Sequence, residues 1–71
     1  MNPVVKSKSK VNIPDGIYVG RVGGWNLTIL SQDQFGKEIP LEYGIKTMNL
    51  PVVVLIENGI ANCFDRGFRL S

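Results

Sequence analysis

The chain of 71 residues contains no histidine and only one cysteine, Cys63. Without histidine, the Ser-His and Cys-His pairs that activate a nucleophile are absent. A single cysteine excludes a disulfide within the chain, and one chain cannot supply the nitrogen and sulfur ligands of a zinc site. We therefore expect no metal, no cofactor and no catalytic residues. The protein is predicted not to be an enzyme, although an active site assembled between subunits stays open.

Long apolar segments are also missing. The longest apolar run, Leu50 to Ile56, has seven residues including Pro51, whereas a helix that spans a membrane needs about 20. The first ten residues lack the apolar stretch of a signal peptide. We expect a cytoplasmic protein without a membrane partner, and a lone thiol fits such a reducing compartment.

Charge is sparse and unevenly placed, with a formal net charge of +2. Lys6, Lys8 and Lys10 all precede the first acid, Asp15. If this segment is extended, the three lysines point to the same side, because side chains alternate along a strand. The sequence predicts a flexible basic arm over residues 1–13 and a single small β domain over residues 14–71. The arm is interpreted either as a solvated terminus or as a functional element.

Two glycines suggest the first hairpin. The β-branched run Ile17 to Val22 and the run Trp25 to Leu30 flank Gly23-Gly24, which suits a tight two-residue turn. That turn would place Val22 opposite Trp25. The inward face of this hairpin would then carry Tyr18, Val22, Trp25, Leu27 and Ile29.

A third strand is predicted over Glu38 to Lys46. Proline lacks the N–H that a central strand needs, so Pro40 indicates an edge strand or a bulge. The apolar residues of this segment alternate and would share one face: Ile39, Leu41, Tyr43 and Ile45.

The last hairpin carries the clearest pattern. Val52 to Glu57 and Ile60 to Phe64 flank Asn58-Gly59, and Asn-Gly between apolar runs is the strongest local hairpin pattern. The turn pairs Val54 with Cys63, so Cys63 is expected in the core. One face of this hairpin is wholly apolar, and the other also carries large apolar side chains, namely Val53, Leu55, Ile60 and Phe64.

These patterns together predict an all-β fold: a small five-stranded antiparallel barrel or rolled meander of SH3-like type. Two segments resemble known families. Pro51 to Phe64 resembles the central strand-turn-strand of Sm-like RNA-binding proteins, although that family's N-terminal helix has no counterpart in residues 1–14. Asp15 to Gly24, with its repeated glycines, is similar to SH3-like barrels. Neither resemblance carries a function over to this chain.

A hairpin that is apolar on both faces needs cover on both sides, and a chain this short has little left to provide it. We expect Val53, Leu55, Ile60 and Phe64 to form a protein interface, covered by a partner or by a homodimer. The alternative is that residues 31–50 or the N-terminal arm fold over them. The expected function is that of a non-enzymatic interaction module, an accessory or modulatory subunit.

Nucleic-acid binding is the alternative function. Small β barrels bind single strands with exposed aromatics and basic side chains. Only Phe35 and Phe68 are expected to be free for stacking. The basic residues that would contact a nucleic acid or another anion are Lys6, Lys8, Lys10, Arg21, Arg66 and Arg69.

Overall fold

The computed structural model describes residues 2–67, and within them it contains six antiparallel strands and one short 3-10 helix, Gln32–Gln34. The strands are β1 Val5–Lys6, β2 Gly16–Gly23, β3 Asn26–Ile29, β4 Glu38–Pro40, β5 Leu50–Glu57 and β6 Ile60–Asp65. They are paired in the order β1-β6-β5-β2-β3-β4. All-β architecture is therefore confirmed, with six strands where the sequence predicted five.

The two edges of this sheet meet, which gives the fold its barrel-like shape. Ser7, directly after β1, forms an isolated antiparallel bridge with Leu41, directly after β4. The backbone N of Lys8 donates to the Pro40 carbonyl O at 3.0 Å, and Glu42 N donates to Lys6 O at 3.0 Å. These bonds satisfy backbone N–H and C=O groups that an open sheet would leave unpaired at its edges. Pro40 lies in the terminal strand of the sheet order, as predicted.

The sixth strand comes from the segment that the sequence indicated as a flexible arm. Val5 pairs with Cys63 in β6 and is only 1% exposed, while Ser7 is 4% exposed. Further along, Val11 N donates to Gly59 O at 2.7 Å, and Ile13 is buried. The segment from Val4 to Val11 is thus hydrogen-bonded to the sheet, and Val5 and Ile13 belong to the core. This differs from the prediction of a loose arm over 1–13 beside a domain that begins at residue 14.

The core lies inside the curl of the sheet, where alternate residues of every strand point. Val11, Tyr18, Ile45 and Leu50 pack against its margin. The buried hydrophobic residues are Val5, Ile13, Val22, Leu27, Ile29, Ile39, Leu41, Val52, Val54, Ile56, Ala61 and Cys63.

The last hairpin is confirmed in turn and register. Asn58 and Gly59 have φ angles of 53° and 79°, the left-handed values that the favoured two-residue hairpin turn requires. Val54 pairs with Cys63, as predicted.

The first hairpin has a different turn from the one predicted. Gly23 pairs with Asn26, so the turn is Gly24-Trp25, and Gly24 takes a φ of 59°. A glycine with positive φ at the first turn position is typical of a type II′ hairpin. Gly23 is required for a different reason: a Cβ at this position would lie only 2.7 Å from the Met48 carbonyl O and would clash with it. The pairing consequently shifts by two positions, and Val22 lies opposite Leu27 rather than Trp25.

Two aromatic residues predicted for the core are therefore at the surface. Trp25 lies in the turn and is 65% exposed. The third of the predicted strands, which is β4 in the structure, ends at Pro40 instead of continuing to Lys46. Tyr43 lies beyond this strand and is 46% exposed. Leu41 and Ile39 are buried as expected.

Candidate functional site

The outward side of β2, β5 and β6 is an apolar surface, called here the outer face. Cross-strand pairing aligns Val19, Val53 and Phe64 in one row. The next row aligns Ile17, Leu55 and Asn62. An antiparallel sheet with one face on the core commonly presents polar side chains on the other, whereas the two central rows of this face are apolar apart from Asn62.

The structure brings the four residues of the predicted interface together. Val53, Leu55, Ile60 and Phe64 are all half-buried, and the alternation along β5 and β6 puts them on the outer face. Neither residues 31–50 nor residues 2–13 cover this face, since both segments close the sheet at its edges. The predicted grouping is thus present, and its role as an interface stays a prediction.

Residues of β2 extend the outer face beyond that prediction. Ile17 is 75% exposed and Val19 is 36% exposed. Leu30 adjoins them, because its backbone N donates to Val19 O at 2.9 Å. The alternation in β2 showed that Ile17 and Val19 point away from the core. It could not show that β2 lies beside β5, because that pairing joins distant parts of the chain.

Asn62 is the polar residue within the two central rows. Its Nδ2 donates to the carbonyl O atoms of Leu55 (3.0 Å) and Ile60 (3.1 Å). Because the amide hydrogens are already bonded to the protein's own backbone, covering Asn62 leaves little donor capacity unsatisfied. The amide hydrogens of Asn62 therefore need no partner from another chain.

Opposite charges mark the two ends of the outer face. At one end, Arg21 pairs with Pro51, and the backbone N of Arg66 donates to Pro51 O at 3.0 Å. At the other end lie Glu57, the last residue of β5, and Asp15, just before β2.

Asp15 is fixed by the last hairpin. Its carboxylate accepts hydrogen bonds from Asn58 N at 2.8 Å and from Gly59 N at 3.2 Å. Two further charges lie near these ends. Asp65 alternates toward the opposite side and accepts a bond from Gly67 N, and the Lys10 side chain lies along Gly59.

The predicted basic residues do not form one patch. Lys6, Lys8 and Lys10 are exposed on the first strand and the segment after it, whereas β6 and β5 separate them from Arg21 in β2. Arg69 lies outside the described residues, as does Phe68, one of the two aromatics expected to stack.

Acidic residues adjoin the lysines. Lys6 accepts a backbone hydrogen bond from Glu42, and Lys10 lines a cleft of about 170 Å³ together with Glu38. Ligand pockets are usually larger, about 300 to 1,000 Å³. Lys6 and Lys10 thus lie close to segments that carry an acidic residue.

The exposed aromatic side chains include a tryptophan that packs against a glycine. The ring of Trp25 lies against Gly44, where a Cβ would be 2.9 Å from Cε2 of the indole. Trp25 O accepts from Leu41 N at 2.9 Å, and the hydroxyl of Tyr43 donates to Val4 O. Trp25, Phe35 and Tyr43 are thus all exposed aromatics. Of these, Trp25 and Tyr43 were predicted to lie in the core.

Cys63 lies in the core, 0% exposed. Burial raises the pKa of its thiol from 9.0 to about 12, because desolvation disfavours the thiolate. The thiol is therefore protonated at neutral pH, and the reactive form of the sulfur is not populated.

In comparisons with known proteins, no family model, no curated protein and no solved structure matches the chain significantly. Within residues 2–67, no three His, Cys, Asp or Glu side chains are grouped closely enough to hold a metal ion. The same part of the chain has no helix with the length and apolarity needed to cross a membrane.

Proposed function

We propose that the protein is a small non-enzymatic interaction module whose outer face is covered by another protein chain, in the first place a second copy of itself. The observation that supports this most strongly is the pair of apolar rows on β2, β5 and β6. Ile17 and Val19 stand at the exposed side of these rows, 75% and 36% exposed. Contiguous apolar surface of this kind marks interaction sites in soluble proteins.

A second copy is the occupant that the charge pattern favours. The outer face has arginines at one end and carboxylates at the other. A face with both charges is complementary to itself, and symmetric pairing of identical faces is the commonest form of oligomer. Burying apolar area of this kind supplies roughly 25 cal/mol per Å² before the cost of association.

Sedimentation velocity over a range of concentrations tests the proposal. The wild-type protein is expected to shift from monomer toward dimer as its concentration rises. Leu55→Lys places a charge at the middle of the outer face and is expected to keep the protein monomeric, because an unpaired charge in an interface is costly. Its fold is expected to persist, since Leu55 points away from the core.

Asn26→Lys is the matched control. Asn26 is exposed on β3, outside the three strands of the outer face, so this variant is expected to associate like the wild type. A wild-type protein that stays monomeric at every concentration, with both variants indistinguishable from it, would contradict the proposal.

Nucleic-acid binding is a second candidate, favoured by the exposed ring of Trp25. Trp25 is the only tryptophan of the chain, so its fluorescence reports directly on stacking by a base. Binding through the lysines is expected to weaken as salt rises, because phosphate contacts release counterions. Unchanged fluorescence on adding single-stranded DNA or RNA at low salt would reject this candidate.

A further inference from the structure

The charges at the two ends of the outer face determine how two copies fit together. This inference rests on the proposed function, namely that a second copy covers the outer face. Two sheets that pack face to face in a symmetric dimer are related by a two-fold axis that lies in the plane of the interface. For two sheets whose strands are aligned, that axis runs either along the strands or across them, and the two arrangements bring different ends together.

An axis along the strands places like ends together. Arg21 and Arg66 of one copy would then adjoin the same two residues of the other copy, and Glu57 would adjoin Glu57. Like charges held together in an interface are destabilising. This arrangement therefore opposes association.

An axis across the strands places unlike ends together. The arginine end of each copy then adjoins the end that carries Asp15 and Glu57 in the other copy. With the axis midway between the two apolar rows, Val53 packs against Leu55 of the second copy, and Arg21 lies opposite Asp15. Both ends and both rows are matched at once.

We infer that the protein forms a two-fold dimer through its outer face, with the strands of the two copies antiparallel and each arginine end against the acidic end of the other copy. Sheets that pack face to face in the aligned class keep their strands within about 30° of each other, so in that class the twist preserves this match of ends. The nearby Asp65 does not reverse it, because Asp65 pairs with the inward-facing Val52 and so alternates away from the outer face.

A charge exchange between Arg66 and Glu57 tests this arrangement. Asp15 is left unchanged, because its carboxylate holds the turn at Asn58-Gly59. In this register Arg66 lies opposite Ile60 of the second copy, one strand away from Glu57 of that copy. Arg66→Glu and Glu57→Arg therefore each replace an attraction between unlike ends with a repulsion, once at each end of the dimer. Each single variant is expected to raise the dimer dissociation constant about tenfold at low salt. A chain carrying both substitutions is expected to regain wild-type affinity.

Lys37→Glu is the matched control, since it makes the same change of charge as Arg66→Glu in the loop before β4, away from the outer face. Its dissociation constant is expected to equal that of the wild type. Sedimentation velocity at low salt gives these constants, and circular dichroism verifies that every variant is folded.

Three results would overturn the inference. If Arg66→Glu binds the wild-type chain more tightly than the wild type binds itself, like ends are in contact. If the singly and doubly substituted chains all match the wild type, the end charges do not orient the dimer. In both cases Leu55→Lys still abolishes association, so the proposed function stands. If the wild type does not associate at all, the proposed function fails as well.

Discussion

The inner and outer faces of β2, β5 and β6 carry similar apolar side chains in different surroundings. Val54 and Leu55 are neighbours in β5. Val54 points into the curl and is 0% exposed, whereas Leu55 points outward and is half-buried. Buried area is what makes an apolar side chain stabilise a fold. The inner face therefore provides the stability of the monomer, and the outer face is available for binding.

The largest expected difference between the faces is in core truncations. Ile56→Ala removes methyl groups from the inner face, where Ile56 is 1% exposed, and is expected to destabilise the fold by about 2–5 kcal/mol. Leu55→Ala, the matched change on the outer face, is expected to cost less than about 1 kcal/mol in dilute protein. Urea unfolding followed by circular dichroism measures both. Equal losses would contradict the distinction between the faces.

The inner face also includes the N-terminal strand, and Ser7 tests that contribution. The Ser7 hydroxyl accepts a hydrogen bond from Ala61 N at 3.0 Å within the core. Ser7→Ala leaves the buried N–H of Ala61 without this acceptor and is expected to lower the free energy of unfolding by about 1–3 kcal/mol. Ser9→Ala changes an exposed hydroxyl two residues further and is expected to be neutral. The same urea titration compares the two, and a neutral Ser7→Ala would mean that β1 adds little.

The last effect appears only in alkaline solution: it is the pH dependence that Cys63 gives to the inner face. Its pKa is raised in the folded protein, so the folded state holds the proton more tightly than the unfolded state. The resulting stability is complete below the unfolded pKa of about 9 and is lost as pH rises toward about 12. Relative to Cys63→Ala, the wild type is expected to lose about 1.4 kcal/mol per pH unit in this range. Parallel profiles of unfolding free energy for the two proteins would contradict a buried, protonated thiol.

The last hairpin was predictable because its determinants are local. Asn58-Gly59 sets the turn, and the turn sets the register between β5 and β6. The faces of these strands then follow from alternation alone. For this reason the amino-acid sequence is sufficient to group Val53, Leu55, Ile60 and Phe64 on one face.

The first hairpin was not fully predictable, because two adjacent glycines allow more than one turn. Gly23 is needed where the chain passes close to Met48 O, and Gly24 supplies the positive φ. That distinction depends on a contact with a distant segment, which no local pattern contains. The two-position shift kept each residue of β2 on its face but moved Trp25 into the turn.

The N-terminal strand and the full outer face depend on pairing between distant segments. β1 pairs with β6, at the other end of the described chain, and β2 pairs with β5. Lys6 and Lys8 suggested a solvated arm, although their alternation with Val5 and Ser7 is the pattern of a strand with one buried side. Because the pairing of β2 with β5 is not visible in the sequence, the contribution of Ile17 and Val19 to the outer face was not predicted.

The concentration dependence of the melting temperature tests the separate roles of the two faces most directly. A dimer is stabilised by mass action, so the melting temperature of the wild type is expected to rise with protein concentration. For Leu55→Lys it is expected to be constant and equal to the wild-type value at the lowest concentration. A constant wild-type melting temperature, or a Leu55→Lys variant that melts lower even in dilute solution, would contradict the account.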